Sequence, residues 1–389
     1  MTLAQKLPLV ESFSSADFRS HFPPLQDMAH MASCSQGALS TALLSGLNSL
    51  TSSLTESGAP WGLWMDEVET LRRKFAKFIN ASPEEIAIVP SASEGAYQVA
   101  SSFSWASRER DAIVTSALEF PSVGHVWRAQ QAQGVRIKSV EDRFAALDAN
   151  NWARHIDDSV QFVSVPLVSY HDGSRAPLGA ISALAREAGA QVFVDAYQGA
   201  GVVPIDVRAM DCDYLVTGTL KYMLGLAGVA FIYVRDGIAS ERAPELTGWF
   251  GRVNPFEFNP DHVDYPKEAR RFESGTPAIP AVYAANAGLD LLATVDQARG
   301  YEHVEALAES LADQLLRDGE RLSRPGSPEL CGPQVAIYDE DPVALSAFLH
   351  DRRVMSAPRG ELLRLSVHYY TTTDDITAVV DAVRAYRSR

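Results

Sequence analysis

Seven short apolar runs, with helical stretches spaced among them, constrain the fold more than any other feature of this sequence. They lie at residues 85–89, 112–115, 136–140, 161–165, 191–195, 214–217 and 229–234. Most are rich in Val, Ile and Phe and lack the polar alternation of a half-exposed strand. They therefore predict strands covered on both faces. Amphipathic stretches at 66–80, 94–106, 122–133 and 180–188 fall between them. That rhythm predicts βαβ units and a mainly parallel, doubly wound α/β sheet.

A smaller α/β unit follows. Its expected parts are a helix over 301–322, a break at Arg324-Pro-Gly-Ser-Pro, a strand at 334–338 and a helix at 342–352. A strand at 362–367 and a closing helix at 374–387 complete it. The loop 247–265 is long, aromatic and irregular, which points to a functional or interfacial role. The apolar segment 278–295 is interrupted by Pro280, Asn286 and Asp290, so it reads as a buried helix and not as a membrane span.

The formal charge of -15 is unfavourable for nucleic acid or an anionic membrane, both of which need basic surface. Three cysteines, Cys34, Cys212 and Cys331, are too few and too scattered for a disulfide framework or a zinc site, and no metal is expected. With no signal-peptide pattern in Met1-Thr-Leu-Ala-Gln-Lys-Leu-Pro, the expected compartment is the cytoplasm.

The chemistry centres on Lys221, in Asp213-Tyr-Leu-Val-Thr-Gly-Thr-Leu-Lys, and on Asp195, 26 residues earlier at the end of an apolar run. A lysine amine condenses with an aldehyde as a Schiff base. A carboxylate opposite a pyridinium nitrogen keeps that ring protonated and able to accept electrons. Together they suit pyridoxal 5'-phosphate. Alone, such a lysine is more often a solvated residue at a helix start. Pro90-Ser-Ala-Ser-Glu-Gly follows one strand and opens a helix, which suits either a phosphate or an ordinary cap. Leu118-Glu-Phe-Pro-Ser places an aromatic at a strand end, for ring stacking or for the core. His171 and Asp172 lie on the edge where open α/β sheets bind ligands, although a structural turn explains them equally. Arg364 lies within an apolar strand pattern, where its fork suits a carboxylate or an internal ion pair. Nucleophile-elbow, phosphate-loop and His-Glu-x-x-His patterns are absent.

Taken together, these motifs resemble the class V aminotransferase branch of fold-type I pyridoxal phosphate enzymes. That branch includes cysteine desulfurases, C–S lyases, kynureninase and isopenicillin-N-epimerase-like proteins. The resemblance implies Lys221 as the Schiff-base lysine and Asp195 as the pyridinium partner. It implies Gln198 at the ring hydroxyl, Phe120 stacked on the ring, and Ala92, Ser93 and Thr219 at the phosphate. Arg271-Phe-Glu-Ser-Gly-Thr implies that Thr276 reaches the phosphate of a neighbouring subunit, hence a homodimer with a composite site. Arg364, with Ser366, would hold the substrate α-carboxylate. Tyr170, His171, Gln36 and Trp249, with Ser33, Ser35 and Trp61, would line the substrate pocket. The implied division is a large cofactor-binding domain over 31–275 and a small domain from 1–30 and 276–389.

The departures narrow the choice. Desulfurases carry a persulfide-forming cysteine shortly before the arginine, and 354–364 contains none. Val123 and Gln198 argue against kynureninase. The expectation is a cytoplasmic lyase acting at the α-amino group of an amino acid by β-elimination. An aminotransferase or epimerase is the alternative, and an inactive cofactor-binding regulatory module is the alternative of another class.

Overall fold

The computed structural model describes residues 14–105 and 109–389. All seven apolar runs form strands of one sheet. Its order is Ile86–Val89, Ala230–Val234, Tyr214–Gly218, Gln191–Asp195, Val160–Pro166, Ala112–Ser116 and Arg136–Val140. From Tyr214–Gly218 to Arg136–Val140 every neighbouring pair is parallel. Ala230–Val234 runs antiparallel to both its neighbours. Its link explains this: residues 219–229 contain no helix, and a parallel return needs a crossover of about a dozen residues or more.

Helices cover both faces. Trp127 on the helix Pro121–Ala129 packs edge-on to Phe162 and Phe193, at 4.9 and 4.8 Å between ring centroids. Phe75 of the helix Trp61–Phe78 stacks on Phe231 at 3.8 Å. The strand Arg136–Val140 is the more exposed edge. Arg136 and Lys138 pair there with Asp111 and Asp157, charges that discourage another strand from adding to it. The helix expected at 94–106 is Ala92–Ser101, capped by Ser91, whose hydroxyl accepts from Glu94 N. Residue 106 and the N-terminal residues 1–13 lie outside the described part. The segment around 278–295 forms the almost wholly buried helix Ile279–Leu292, packed on Thr41–Ser57 and Trp61–Phe78. Among the described residues, no helix is long and apolar enough to cross a membrane.

A second, antiparallel sheet has the order Ala357–Arg359, Leu362–Ser366, Gln334–Tyr338, Leu322–Ser323. The helices Gln297–Arg317, Pro342–His350 and Thr373–Arg387 accompany it. Ala29–His30 pairs in parallel with Val354–Met355, and Ala32 bridges to Ser366. These pairings bring residues 32–38 next to Arg364 and beneath the large sheet's carboxyl edge.

Candidate active site

The carboxyl ends of five strands and the start of the reversed one meet over a cavity of about 260 Å³. Pro90 to Ser93 follow Val89, Leu118 and Phe120 follow Ser116, and Tyr170 follows the strand ending at Pro166. Asp195, Tyr197 and Gln198 come from the next strand, Lys221 from the one ending at Gly218, and Gly228 and Val229 precede Ala230. Open α/β sheets bind ligands on this edge.

Lys221 Nζ lies 4.4 Å from the Tyr197 ring centroid and 5.5 Å from that of Phe120. Burial pushes its amine down to about 8, against the pull of Asp195, and the cations Arg364 and Arg359 push the same way as burial. An amine lowered this far releases its proton far more readily than an ordinary lysine, and its neutral form can attack a carbonyl or accept a proton. The turn carrying it is clamped by close backbone contacts. A Cβ on Gly37 would lie 2.4 Å from Lys221 O, and one on Gly201, at φ 106°, 2.3 Å from Tyr222 O. His368 adds a further hold. Its Nδ1 accepts from Tyr369 N at 2.8 Å, which leaves Nε2–H to donate to Tyr222 O at 2.9 Å. Burial pushes this imidazole down to about 3, so it stays neutral.

Asp195 is 6% exposed and accepts from Tyr197 N at 2.9 Å. Burial raises its carboxyl above the ordinary range, while Lys221 pulls it back. A buried carboxylate so sparsely satisfied suits a cationic N–H partner such as a pyridinium. At the other end of the cavity, Ser91 is occupied with its cap. The amides of Ala92 and Ser93 and the Ser93 hydroxyl have no hydrogen-bond partner among the described residues, so a helix N-terminus faces the cavity with free donors. Gln198 donates from Nε2 to Cys34 O at 3.1 Å, and its buried Oε1 has no partner. Free amides, an under-satisfied carboxylate, an orphaned amide oxygen and a depressed lysine together fit pyridoxal phosphate.

Other expected residues lie elsewhere. Thr219 does not line the cavity; its hydroxyl donates to Leu226 O at 2.7 Å, inside its own turn. Thr276 is exposed, outside this chain's cavity. The motif ahead of it is an anchor: Arg271 donates to the carbonyls of Pro266, Ala239 and Arg242, and Glu273 pairs with Arg72 at 2.6 Å. Arg364, 1% exposed, donates from Nη1 to Tyr170 O at 2.6 Å and from Nε to Ala357 O at 3.2 Å. It lines an adjoining cavity of about 410 Å³ that also contains Ser35 and Gln36. The Tyr170 ring meets Phe120 edge-on at 5.0 Å. His171 is half-buried and held below its usual range by burial and by Arg143, and it lines neither cavity. Trp249 belongs to the aromatic loop, 5.7 Å from both Trp61 and Phe256 and 5.9 Å from Phe258.

Two residues escaped the sequence reading. Tyr197 lies within the Asp-Ala-Tyr-Gln run, and its ring fits only because Gly218 opposite has no side chain: a Cβ there would come within 2.5 Å. Glu119 is buried behind Phe120. Its Oε2 accepts from Ser164 Oγ at 2.6 Å, whose oxygen accepts from Trp127 Nε1 at 2.9 Å, and its Oε1 accepts from Phe120 N at 3.1 Å. Burial and the nearby Asp195 raise this carboxyl to about 8. The available signal was an acid inside the strand-end run Leu118-Glu-Phe, where a charge costs free energy unless it is held.

Residues 52–330 match the family Aminotransferase class-V. The uncharacterized aminotransferase YcbU of Bacillus subtilis is 36% identical over 95% of this chain and 97% of its own. A probable cysteine desulfurase of Synechocystis is 29% identical over 82% of this chain and 80% of its own. The apo structure of a cysteine desulfurase from Thermococcus onnurineus NA1 shares the fold, with a TM-score of 0.86 and 20% identity over 97% of this chain and 99% of that one. With a family match over most of its length and a relative covering nearly all of it, the chain belongs to the class-V aminotransferase family and is a pyridoxal-phosphate-dependent enzyme.

Proposed function

We propose that this enzyme removes the α-proton of an amino acid and lets a β-substituent depart, without a cysteine acting as sulfur carrier. The cofactor, when bound, supplies an aldehyde for attachment and a ring that accepts the carbanion's electrons. Lys221 would hold the cofactor, and its Nζ is placed to take the proton from the substrate Cα. Asp195 would keep the ring nitrogen protonated, Phe120 would cover the ring, and Gln198 would meet the ring hydroxyl. Ala92 and Ser93 offer amides to the phosphate. Arg364 binds the α-carboxylate through N–H groups left over from Tyr170 O and Ala357 O.

The observation that carries the cysteine-free part of this reading is the hairpin before Arg364. Strands Ala357–Arg359 and Leu362–Ser366 are joined by Gly360 and Glu361 alone, leaving no loop for a mobile cysteine. No cysteine lines the Lys221 cavity or the Arg364 cavity. Transamination is the second reading, favoured by the aminotransferase name of the Bacillus relative. An amino-acid panel read by mass spectrometry separates them. Elimination from a substrate with a three-carbon backbone gives pyruvate and ammonia, transamination gives the substrate's own 2-oxo acid, and epimerisation an inverted stereocentre. Absence of the elimination product from every turned-over substrate rejects the first reading.

Assembly belongs to the same proposal. Nine of the twelve large apolar side chains exposed among the described residues fall at 39–63 or 246–263. Trp61 and Trp249 link these stretches, and Phe250 N donates to Ser274 O beside the Thr276 motif. Such a patch suits a two-fold partner, to whose cofactor Thr276 would reach. We also propose a cytoplasmic enzyme divided into 31–275 and 1–30 with 276–389. Limited proteolysis tests the division: a large fragment that retains the helix Ile279–Leu292 would move the boundary beyond it.

A further inference from the structure

Arg359 and Arg364 share one face of the hairpin. Ala357 is paired with Arg364 across the two strands, and Arg359 lies two residues beyond Ala357. Residues two apart on a strand point the same way, and diagonal cross-strand neighbours are about 7–8 Å apart. Both arginines line the 410 Å³ cavity beside Lys221, and both bear on the Lys221 amine. Among the described residues no Asp or Glu lines that cavity, and His30, which does, is held below its usual range by burial.

Arg364 keeps Nη2 without a partner among the described residues while being 1% exposed. The exposed Arg359 side chain makes no hydrogen bond or ion pair among them, although Glu361 stands two residues away on the same turn. The charge of Glu361 is felt instead at His171. Burial makes the incompletely paired Arg364 guanidinium costly unless an anion meets it, whereas the exposed Arg359 guanidinium is solvated and keeps its N–H groups free for a second anion in the same cavity.

We propose that the substrate is an amino acid carrying a second anion on its side chain, a carboxylate or a group of like charge and shape, held by Arg359 while Arg364 takes the α-carboxylate. This rests on the reading of Arg364 given above and adds a substrate class to it. Two cations set diagonally on one rigid hairpin match two anions a few bonds apart, and a monoanionic amino acid would leave the second cation uncompensated.

The test uses the cofactor-loaded enzyme and two four-carbon probes, succinate and butyrate, titrated calorimetrically at low ionic strength. Succinate is expected to bind at least about tenfold more tightly, the scale of one charge pair. Arg359→Gln should bring succinate down to the level of butyrate and leave butyrate unchanged, and Arg359→Lys should keep part of the preference. Equal binding of both probes by the wild type, or a preference that survives in Arg359→Gln, overturns the proposal. The reading of the active site fails differently: borohydride would then fix no cofactor on Lys221, whatever the probes do.

Discussion

The Lys221 cavity and the aromatic loop at 247–265 are built in opposite ways. Every group in the cavity hangs from the end of a strand whose hydrogen bonds set its position, and the turn after Lys221 is wedged between close backbones. The loop consists of short 3₁₀ turns whose rings stack mainly on one another, with Phe258 71% and Val263 58% exposed. A sheet edge fixes the Lys221 centre from within one chain, whereas the loop presents apolar area that suits cover by another surface. Charge substitution at the strand ends should therefore break the chemistry and leave assembly intact, whereas charge substitution in the loop should break assembly and lower activity only through the dimer lost.

The largest effect is expected from Lys221→Ala. Loss of the attachment and of the base should lower turnover by on the order of 10⁴ or more, with borohydride fixing no cofactor on that peptide and sedimentation unchanged. Normal turnover would end the assignment. Asp195→Asn keeps shape and removes the charge opposite the ring nitrogen, and should cost on the order of 10² to 10⁴ in rate, at tenfold per 1.36 kcal/mol. An effect below threefold on kcat/KM would remove Asp195 from that role.

On the other side of the comparison, Phe258→Asp should raise the dissociation constant of a homodimer at least about tenfold, about 1.4 kcal/mol. Activity should fall only in proportion to the dimer lost. A fully active monomer in sedimentation would remove both the dimer and the role of Thr276.

The same contrast explains what the sequence made legible. The strand runs are apolar and short, so their period and length declare them, and all seven lie in one sheet. Lys221, Asp195, Phe120, Gln198, Ala92 and Ser93 stand directly after strands, so locating the strands located the residues. The reversed strand was not legible, because direction depends on the length of a link and not on the residues of the strand. Thr219 was placed near the phosphate by its nearness to Lys221 in sequence, but turn geometry directs its hydroxyl to Leu226 O. Trp249 belongs to an irregular loop and Thr276 is exposed, and under the proposed dimer both would be completed by a partner, which no periodicity encodes. Glu119 and Tyr197 were hidden because burial, not residue type, gives them weight.

A smaller and more local effect is expected at Glu119. Its carboxyl, 4.5 when unperturbed, is raised to about 8 in the fold by burial and by Asp195. Between these values the folded chain keeps a proton that the unfolded chain has released. The stabilisation is thus complete below pH 4.5 and lost as the pH rises through about 8. The cofactor-free protein should be harder to unfold at pH 5 than at pH 8, and Glu119→Gln should flatten much of that slope. The slope of Asp195, shifted in the same direction, should remain. An unchanged slope in Glu119→Gln would show that the buried proton resides elsewhere.

The smallest effect is expected where a desulfurase mechanism demands the largest. Cys212 is fully buried and its thiol is pushed up to about 12 by burial, which leaves no thiolate for attack. Cys331 lies beside Arg324, 3.4 Å away, on a cavity that does not include Lys221. Cys34 is the searching case. It is 1% exposed and lines neither cavity, yet its thiol is near enough to Lys221 for the two charges to interact. Cys34→Ser nearly preserves volume but introduces a more polar hydroxyl, so it should cost about 1–3 kcal/mol of stability if that hydroxyl finds no partner. It should leave kcat within about twofold, less than the 1.36 kcal/mol that a tenfold change represents. The cysteine-free triple variant should behave in the same way. Retained activity alongside a lower unfolding midpoint would confirm that Cys34 is packing. Abolished turnover in a folded variant would place a sulfur relay at Cys34 and overturn elimination without a cysteine.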